Sequence, residues 1–341
     1  MRKVLVSAAL TALLFSAACC FAVTSYADRR NSGDPETIFK RTVESREKYT
    51  YTALGTSYLR HDGKPVVSDV KICRRKPNKS RIEYLSPPLK GLVVGRTDGK
   101  TWRIDPKLGE ITYTDRRARG DRNSNIALLF DNHRVESKDG GVIARRPCVE
   151  LIIREKNGDI RKRLWVDAST YVVLKSENYT PAGRITSSTE LKCIKYVPSL
   201  PDSLFELPRG AKRSDFQQYT ARSMSIEQVS REVGFKVVLP RYVPDGYMLK
   251  GREVLYVPGS SRKVAFLRYS NGLDRISIFE ATRTSNDPTR DVMLDQANRR
   301  FGRNEPMTIC TSSTHDLSFV VIGSLSRHKL SQIADSLKNS K

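Results

Sequence analysis

The sequence predicts an α+β protein made of two antiparallel units, not a parallel α/β fold. Three observations carry this prediction. From Tyr49 to Tyr113, short apolar–polar alternations are separated by turn residues, the period-two pattern of half-buried strands. Further strand-like segments are joined by local turns, with Asp98-Gly99 and Asn157-Gly158 the strongest two-residue hairpin signals. Helical periodicity is confined to a few isolated stretches, so the helices cover a sheet instead of alternating with its strands.

The elements follow in order. Pro35 to Tyr49 opens with a helix whose apolar stripe is Ile38, Phe39 and Val43. Tyr49 to Tyr58 is rich in Thr and Tyr, both good strand formers. In Val66 to Cys73, Val66, Val70 and Ile72 share a face opposite Asp69 and Lys71. Ile82 and Tyr84 alternate with Arg81 and Glu83, Gly91 to Gly95 carries Leu92 and Val94, and Trp102 and Ile104 flank Arg103. Each strand has one apolar side, so the sheet requires a cover. Asn123 or Ser124 can cap a helix in which Ile126, Leu129, Phe130 and His133 share one face, with His133 read as structural. The sheet resumes in Val142 to Ile153, Ile160 to Asp167, Tyr171 to Glu177 and Ile185 to Tyr196.

Pro198, Pro201 and Pro208 mark a boundary, and the polar stretch after Arg209 reads as a linker. Residues 1–27 form a signal peptide, 28–211 the first domain, 212–223 the linker and 224–341 the second domain. In the second domain, Ser225 and Gln228 make a capping-box pattern ahead of Val229 and Val233. Pro244-Asp245-Gly246 makes a turn. Leu249 to Val257, Val264 to Tyr269, Ile276 to Ala281 and Leu317 to Ile322 read as strands, and Leu330, Ile333, Ala334 and Leu337 as one face of a closing helix.

Composition adds an address. Arg2 and Lys3 precede the apolar run Val4 to Phe21, and Ser25 and Ala27 give the small-x-small pattern of a cleavage site. The competing reading is lipidation at Cys19 or Cys20; either way the protein is exported to the periplasm or another extracytoplasmic space. The net charge of +23 is dispersed in runs such as Arg74 to Lys79 and Arg161 to Arg163. In an exported protein these runs are either solvated faces or attract an anionic membrane surface or acidic protein. No nucleic-acid-binding signature accompanies them. Cys73, Cys148, Cys193 and Cys310 remain after cleavage; a Cys148–Cys193 disulfide and free buried thiols are both open.

The run Leu164-Trp165-Val166-Asp167, the turn ending at Thr170-Tyr171, the strand to Glu177, the Gly183 turn, the final strand and Phe205-Glu206-Leu207-Pro208 resemble the close of a LolA/LolB-like domain. The same pattern occurs in MucB/RseB regulators. The second unit resembles their smaller C-terminal domain in Leu239-Pro240, Tyr242-Val243-Pro244-Asp245-Gly246-Tyr247, the Ile276 strand, and the last strand and helix. The resemblance implies a curved antiparallel half-barrel covered by helices, followed by a smaller α+β domain. It also implies a partner, the extracytoplasmic part of a membrane anti-sigma factor, and an apolar signal, a lipid or lipoprotein acyl chain.

The four histidines have no HxxxH spacing, no CxxC or GxSxG occurs, and the carboxylates are scattered. The reading is therefore of a non-enzymatic protein without cofactor or metal site, an envelope regulatory binding protein. A periplasmic lipid or lipoprotein carrier of the LolA type is the alternative. Leu92, Val94, Trp102, Ile104 and Trp165 are the candidate ligand-cavity residues, with ordinary core packing the default reading of each.

Overall fold

In the computed structural model, the described residues are 33–61, 64–115, 122–213, 217–218, 224–256, 262–283 and 308–338. The expected signal peptide therefore lies outside them. Helix α1 (Pro35–Lys48) starts where Asp34 accepts the Thr37 backbone N–H at 2.9 Å, with proline in the first turn where no N–H is needed. It buries Ile38, Thr42 and Ser45.

Strands β1 (Tyr51–His61), β2 (Lys64–Arg75), β3 (Lys79–Tyr84), β4 (Val93–Thr97), β5 (Lys100–Asp105) and β6 (Glu110–Asp115) form one antiparallel meander. Helix α2 (Arg122–Asn132) leads to the second meander: β7 (His133–Ile143), β8 (Arg146–Glu155), β9 (Ile160–Asp167), β10 (Val173–Tyr179) and β11 (Ile185–Tyr196). Strand β11 returns beside β1, so the two meanders fuse into one open curved sheet in the order β6-β5-β4-β3-β2-β1-β11-β10-β9-β8-β7. The chain enters this sheet at its centre and closes it there.

The expected linker contributes to both sheets. Strand β12 (Lys212–Arg213) adds in parallel to β6, and β13 (Gln217–Gln218) adds antiparallel to the first strand of the second sheet. That sheet contains β14 (Met248–Tyr256), β15 (Lys263–Ser270), β16 (Arg275–Thr282), β17 (Thr308–Ser313) and β18 (Leu317–Gly323), in the order β13-β14-β15-β16-β18-β17. Helices α3 (Ile226–Val233) and α4 (Arg327–Lys338) lie on one face. There Val229, Leu330, Ile333 and Leu337 meet Val254, Leu267, Ile278 and Phe319, all at most 1% exposed. The opposite face is equally buried, with Phe266 and Phe279 stacked at 4.6 Å. The α3 capping box forms as its sequence predicts: Ser225 Oγ accepts the Gln228 N–H at 3.2 Å and Gln228 Oε1 accepts the Ser225 N–H at 2.8 Å.

Several local expectations are corrected. His133 is not on a helical face but opens β7, with its Nδ1 3.1 Å from Leu129 O, the carbonyl one turn back in α2. The predicted strand from Val142 to Ile153 is two strands joined by a tight turn at Ala144 and Arg145, both at positive φ of +50° and +61°. Neither is the Gly or Asn that such a turn prefers, so the hairpin carries no sequence signal. Among the described residues, Cys73, Cys148, Cys193 and Cys310 are all free. Cys148 is buried with its Sγ donating to Arg146 O at 3.4 Å, and burial pushes its thiol up to about 11. Cys193 is exposed on β11, so the two do not meet.

Candidate functional site

Cross-strand register divides the large sheet into two chemically different faces. The inner face carries Val70, Tyr84 and Leu92, which pack together, and Val94, opposite Ile82 in the β3–β4 pair. Farther along, Leu151, Leu164 and Val166 receive Ile38 of α1. Phe39 of α1 meets Phe130 of α2 edge-on at 5.8 Å, tying the two helices that cover this face.

The outer face is a belt of opposed charges. Following opposite partners from β7 to β2 gives Lys138, Glu150, Trp165, Lys175, Glu190, Thr56 and Asp69 on one side of the sheet. Glu150 is paired with Lys138 at 3.4 Å and Arg163 at 3.2 Å, Lys175 with Glu190 at 3.0 Å, and Asp69 with Lys192 at 2.9 Å. Lys175 Nζ also sits 4.8 Å from the Trp165 ring centroid.

The five candidate cavity residues therefore separate. Leu92 and Val94 lie on the inner face. Trp165 belongs to the charged belt, while Trp102 and Ile104 share the outer face through the pairs Cys73–Arg81, Arg81–Gly95, Gly95–Trp102 and Val93–Ile104. Trp102 and Ile104 lie across the sheet from Leu92 and Val94, because a one-residue offset puts a side chain on the other face of its strand, whereas Trp165 also packs against the apolar cluster of Tyr51, Ala53, Cys148, Val172, Leu174 and Leu191. Trp102 is nonetheless only 1% exposed. Arg81 stands over its ring at 6.0 Å, and Gly95 leaves it room: a Cβ there would come within 2.6 Å of Trp102 Cη2. The segment after β11 crosses this same face, held by Arg75 to Leu200 O at 3.0 Å and by Asp202 to Arg75 at 2.7 Å and Lys79 at 2.6 Å.

A small cavity of about 120 Å3 opens between α1 and the sheet, lined by Thr42, Ser45, Arg46, Tyr51, Arg74, Val172 and Val173. Its volume falls below the roughly 300–1,000 Å3 of pockets that engulf a drug-sized ligand.

The second notable site is the junction of the two sheets, which the sequence did not flag. Arg161, in a basic run read as solvated, occupies a bulge of β9 and is buried. Its guanidinium bonds Glu155 of its own sheet and, at 3.0 Å, Asp274 in the β15–β16 turn. Asp274 also accepts a hydrogen bond, on its other oxygen, from Ser324 Oγ at 2.7 Å. Asn132, the last residue of α2, sends its Nδ2 to Leu128 O at 2.8 Å, Gly246 O at 3.1 Å and Asn271 O at 3.3 Å. Gly272, at φ +95°, lies so close that a Cβ would be 2.8 Å from the Leu128 carbonyl carbon. The neighbouring groups respond to enclosure: burial holds His133 below the ordinary imidazole range and raises the Tyr247 phenol. The junction is thus a desolvated polar clamp that joins the two domains. It fixes the two sheets relative to each other at Arg161–Asp274 and Asn132.

This arrangement, a curved sheet with a helix-covered apolar face clamped to a smaller helix-backed sheet, defines a two-sheet α+β architecture. No family model matches the chain. An uncharacterised protein of Methanocaldococcus jannaschii is 27% identical over 192 residues, covering 53% of this chain and 53% of that protein. The chain thus spans about half the length of the curated relative it matches. Among solved structures, MucB in complex with MucA(peri) superposes with a TM-score of 0.56 at 16% identity, over 89% of this chain and 98% of that one. The MucA/MucB complex of Pseudomonas aeruginosa gives a TM-score of 0.56 at 16% identity, covering 89% and 97%. MucB alone gives 0.52 at 16% identity, covering 89% and 98%. The chain therefore has the MucB/RseB-like two-domain fold that its sequence resembles.

Proposed function

We propose that this protein is an exported envelope regulatory binding protein that engages the extracytoplasmic segment of a membrane anti-sigma factor and releases it when an apolar signal binds. The observation that carries the reading is the extent of the fold match, which runs through both domains of a protein solved with MucA's periplasmic part. A simple carrier needs the first domain alone, whereas here a second domain is clamped to it through Arg161 and Asn132.

Release is a population shift: a lipid or lipoprotein acyl chain lowers partner affinity only by binding the released form better. Leu92 and Val94, on the inner face, are the residues of this reading that would meet such a chain. The dispersed positive charge would speed encounter with an acidic partner segment and draw the protein toward anionic membrane surfaces. No step in this account calls for catalysis or a cofactor.

The test is isothermal titration of the full chain with purified extracytoplasmic segments of membrane anti-sigma factors from the same organism. The reading expects one segment to bind with a Kd below about 10 μM, with affinity falling as salt rises. Absence of binding by every segment would remove it. The LolA-type carrier reading would then be favoured if the protein instead holds an extractable acyl chain.

A further inference from the structure

Among the described residues, the arginines withdrawn from full exposure in the large sheet are, with one exception, matched to carboxylates. Arg75 has Asp202, Arg81 has Glu83, Arg103 has Asp105, Arg146 has Asp167, Arg154 has Glu136, Arg161 has Glu155 and Asp274, and Arg163 has Glu150. Arg74 is the exception. It is half-buried at the end of β2, directly opposite Tyr51, and its side chain makes no ion pair or hydrogen bond among the described residues. Its guanidinium carries no counter-charge there and opens onto the cavity beneath α1, where an anion would complete it.

The surroundings of Arg74 fit such an anion. With Tyr51 it lines the cavity of about 120 Å3 beneath α1, and Arg46 brings a second guanidinium to the same lining. Thr42 and Ser45 also line it, but their hydroxyls already donate to Ile38 O and Thr42 O, each at 2.8 Å. Among the described residues, the Arg74 fork and the Tyr51 hydroxyl are therefore the donors of this lining without an acceptor. The space suits a carboxylate or phosphate group and is too small to enclose an acyl chain.

We propose that this cavity is an oxyanion site in which Arg74 and Tyr51 bind a carboxylate or phosphate group, either as a free ion or as the head of a larger ligand. Val172 and Val173 supply an apolar wall beside the anion, so a ligand with a short aliphatic extension gains contact there. Arginine is the residue suited to this task because its planar fork matches a planar carboxylate or a phosphate edge with two parallel hydrogen bonds. The site is independent of the partner-binding reading above and stands or falls separately.

The experiment is calorimetric titration of the full chain with sodium acetate and with inorganic phosphate at constant ionic strength, using chloride as the reference. Wild type is compared with Arg74→Gln, Arg74→Lys, Tyr51→Phe and the surface control Arg184→Gln. The expected result is saturable binding of at least one anion with a Kd in the millimolar range or tighter. Arg74→Gln should weaken it at least tenfold, Arg74→Lys less because the charge remains without the fork, and Tyr51→Phe severalfold, with the control unchanged. Octanoate and glycerol phosphate extend the test. Tighter binding than acetate or phosphate assigns the site to the head group of a larger ligand, and equal binding assigns it to the free ion; both uphold the site. No saturable binding beyond chloride would overturn the proposal, as would equal binding by wild type, Arg74→Gln and Arg74→Lys.

Discussion

Arg161 and Asp274 meet at 3.0 Å across the junction of the two sheets, with the arginine side chain only 5% exposed. One residue belongs to β9 and the other to the turn between β15 and β16, so this contact makes the two domains a single mechanical unit. Removing Asp274 leaves a buried guanidinium with only Glu155. Asp274→Ala should destabilise the protein by about 3 kcal/mol, the lower end of the range for a broken buried pair because Glu155 remains. Denaturant unfolding of D274A, R161A and the double variant checks this; the double variant should cost less than the two singles together.

Gly272 is required by shape as well as by backbone angle. Its φ of +95° is unfavourable for a side chain, and a Cβ would enter the backbone of α2 at Leu128 and Leu129. Gly183, at φ +73°, has open space around it. Gly183→Ala should therefore cost about 1 kcal/mol, whereas Gly272→Ala should cost several times more and loosen the junction. Hydrogen exchange at the α2 C-terminus would separate the two variants.

Much of the fold was legible because its signals are local. The Ser225–Gln228 box, the Asp98-Gly99 hairpin and the α4 stripe each act within a few residues, and each appears as its sequence implies; Asn157-Gly158 also turns the chain, but inside a longer loop closed between Glu155 and Asp159. Strand β7 was missed because Arg134, Glu136, Lys138, Asp139 and the Gly140-Gly141 bulge interrupt any alternation along this exposed edge. The junction was illegible for a different reason: Asn132 and Gly246 are 114 residues apart, and nothing near Arg161 distinguishes it from the solvated arginines around it. Strand periodicity identified Trp102 and Leu92 as candidates alike, but only the register reveals that they occupy opposite faces.

The second domain hides a titratable group. Glu280 of β16 is fully buried, with Oε2 accepting the Val238 N–H at 2.9 Å, and burial raises its carboxyl to about 8 despite that hydrogen bond. An unfolded glutamate loses its proton near pH 4.5, while the folded one keeps it up to about pH 8. The unfolded state therefore binds fewer protons in that window, and stability falls as pH rises through it. Glu280→Gln should flatten this slope and be more stable than wild type at pH 8 by a few kcal/mol. Denaturant midpoints at pH 5, 6.5 and 8 would reveal the difference; parallel slopes in the two proteins would refute it.

Native mass spectrometry of the protein isolated from its own envelope without detergent tests the central claim most directly. The regulatory reading predicts a complex whose extra mass is a protein with a single membrane span and an extracytoplasmic segment, retained by the intact chain and weakened in the Asp274→Ala variant. A chain that carries only a mass removable by organic solvent, with no protein partner, would contradict that reading and mark the protein as a lipid carrier.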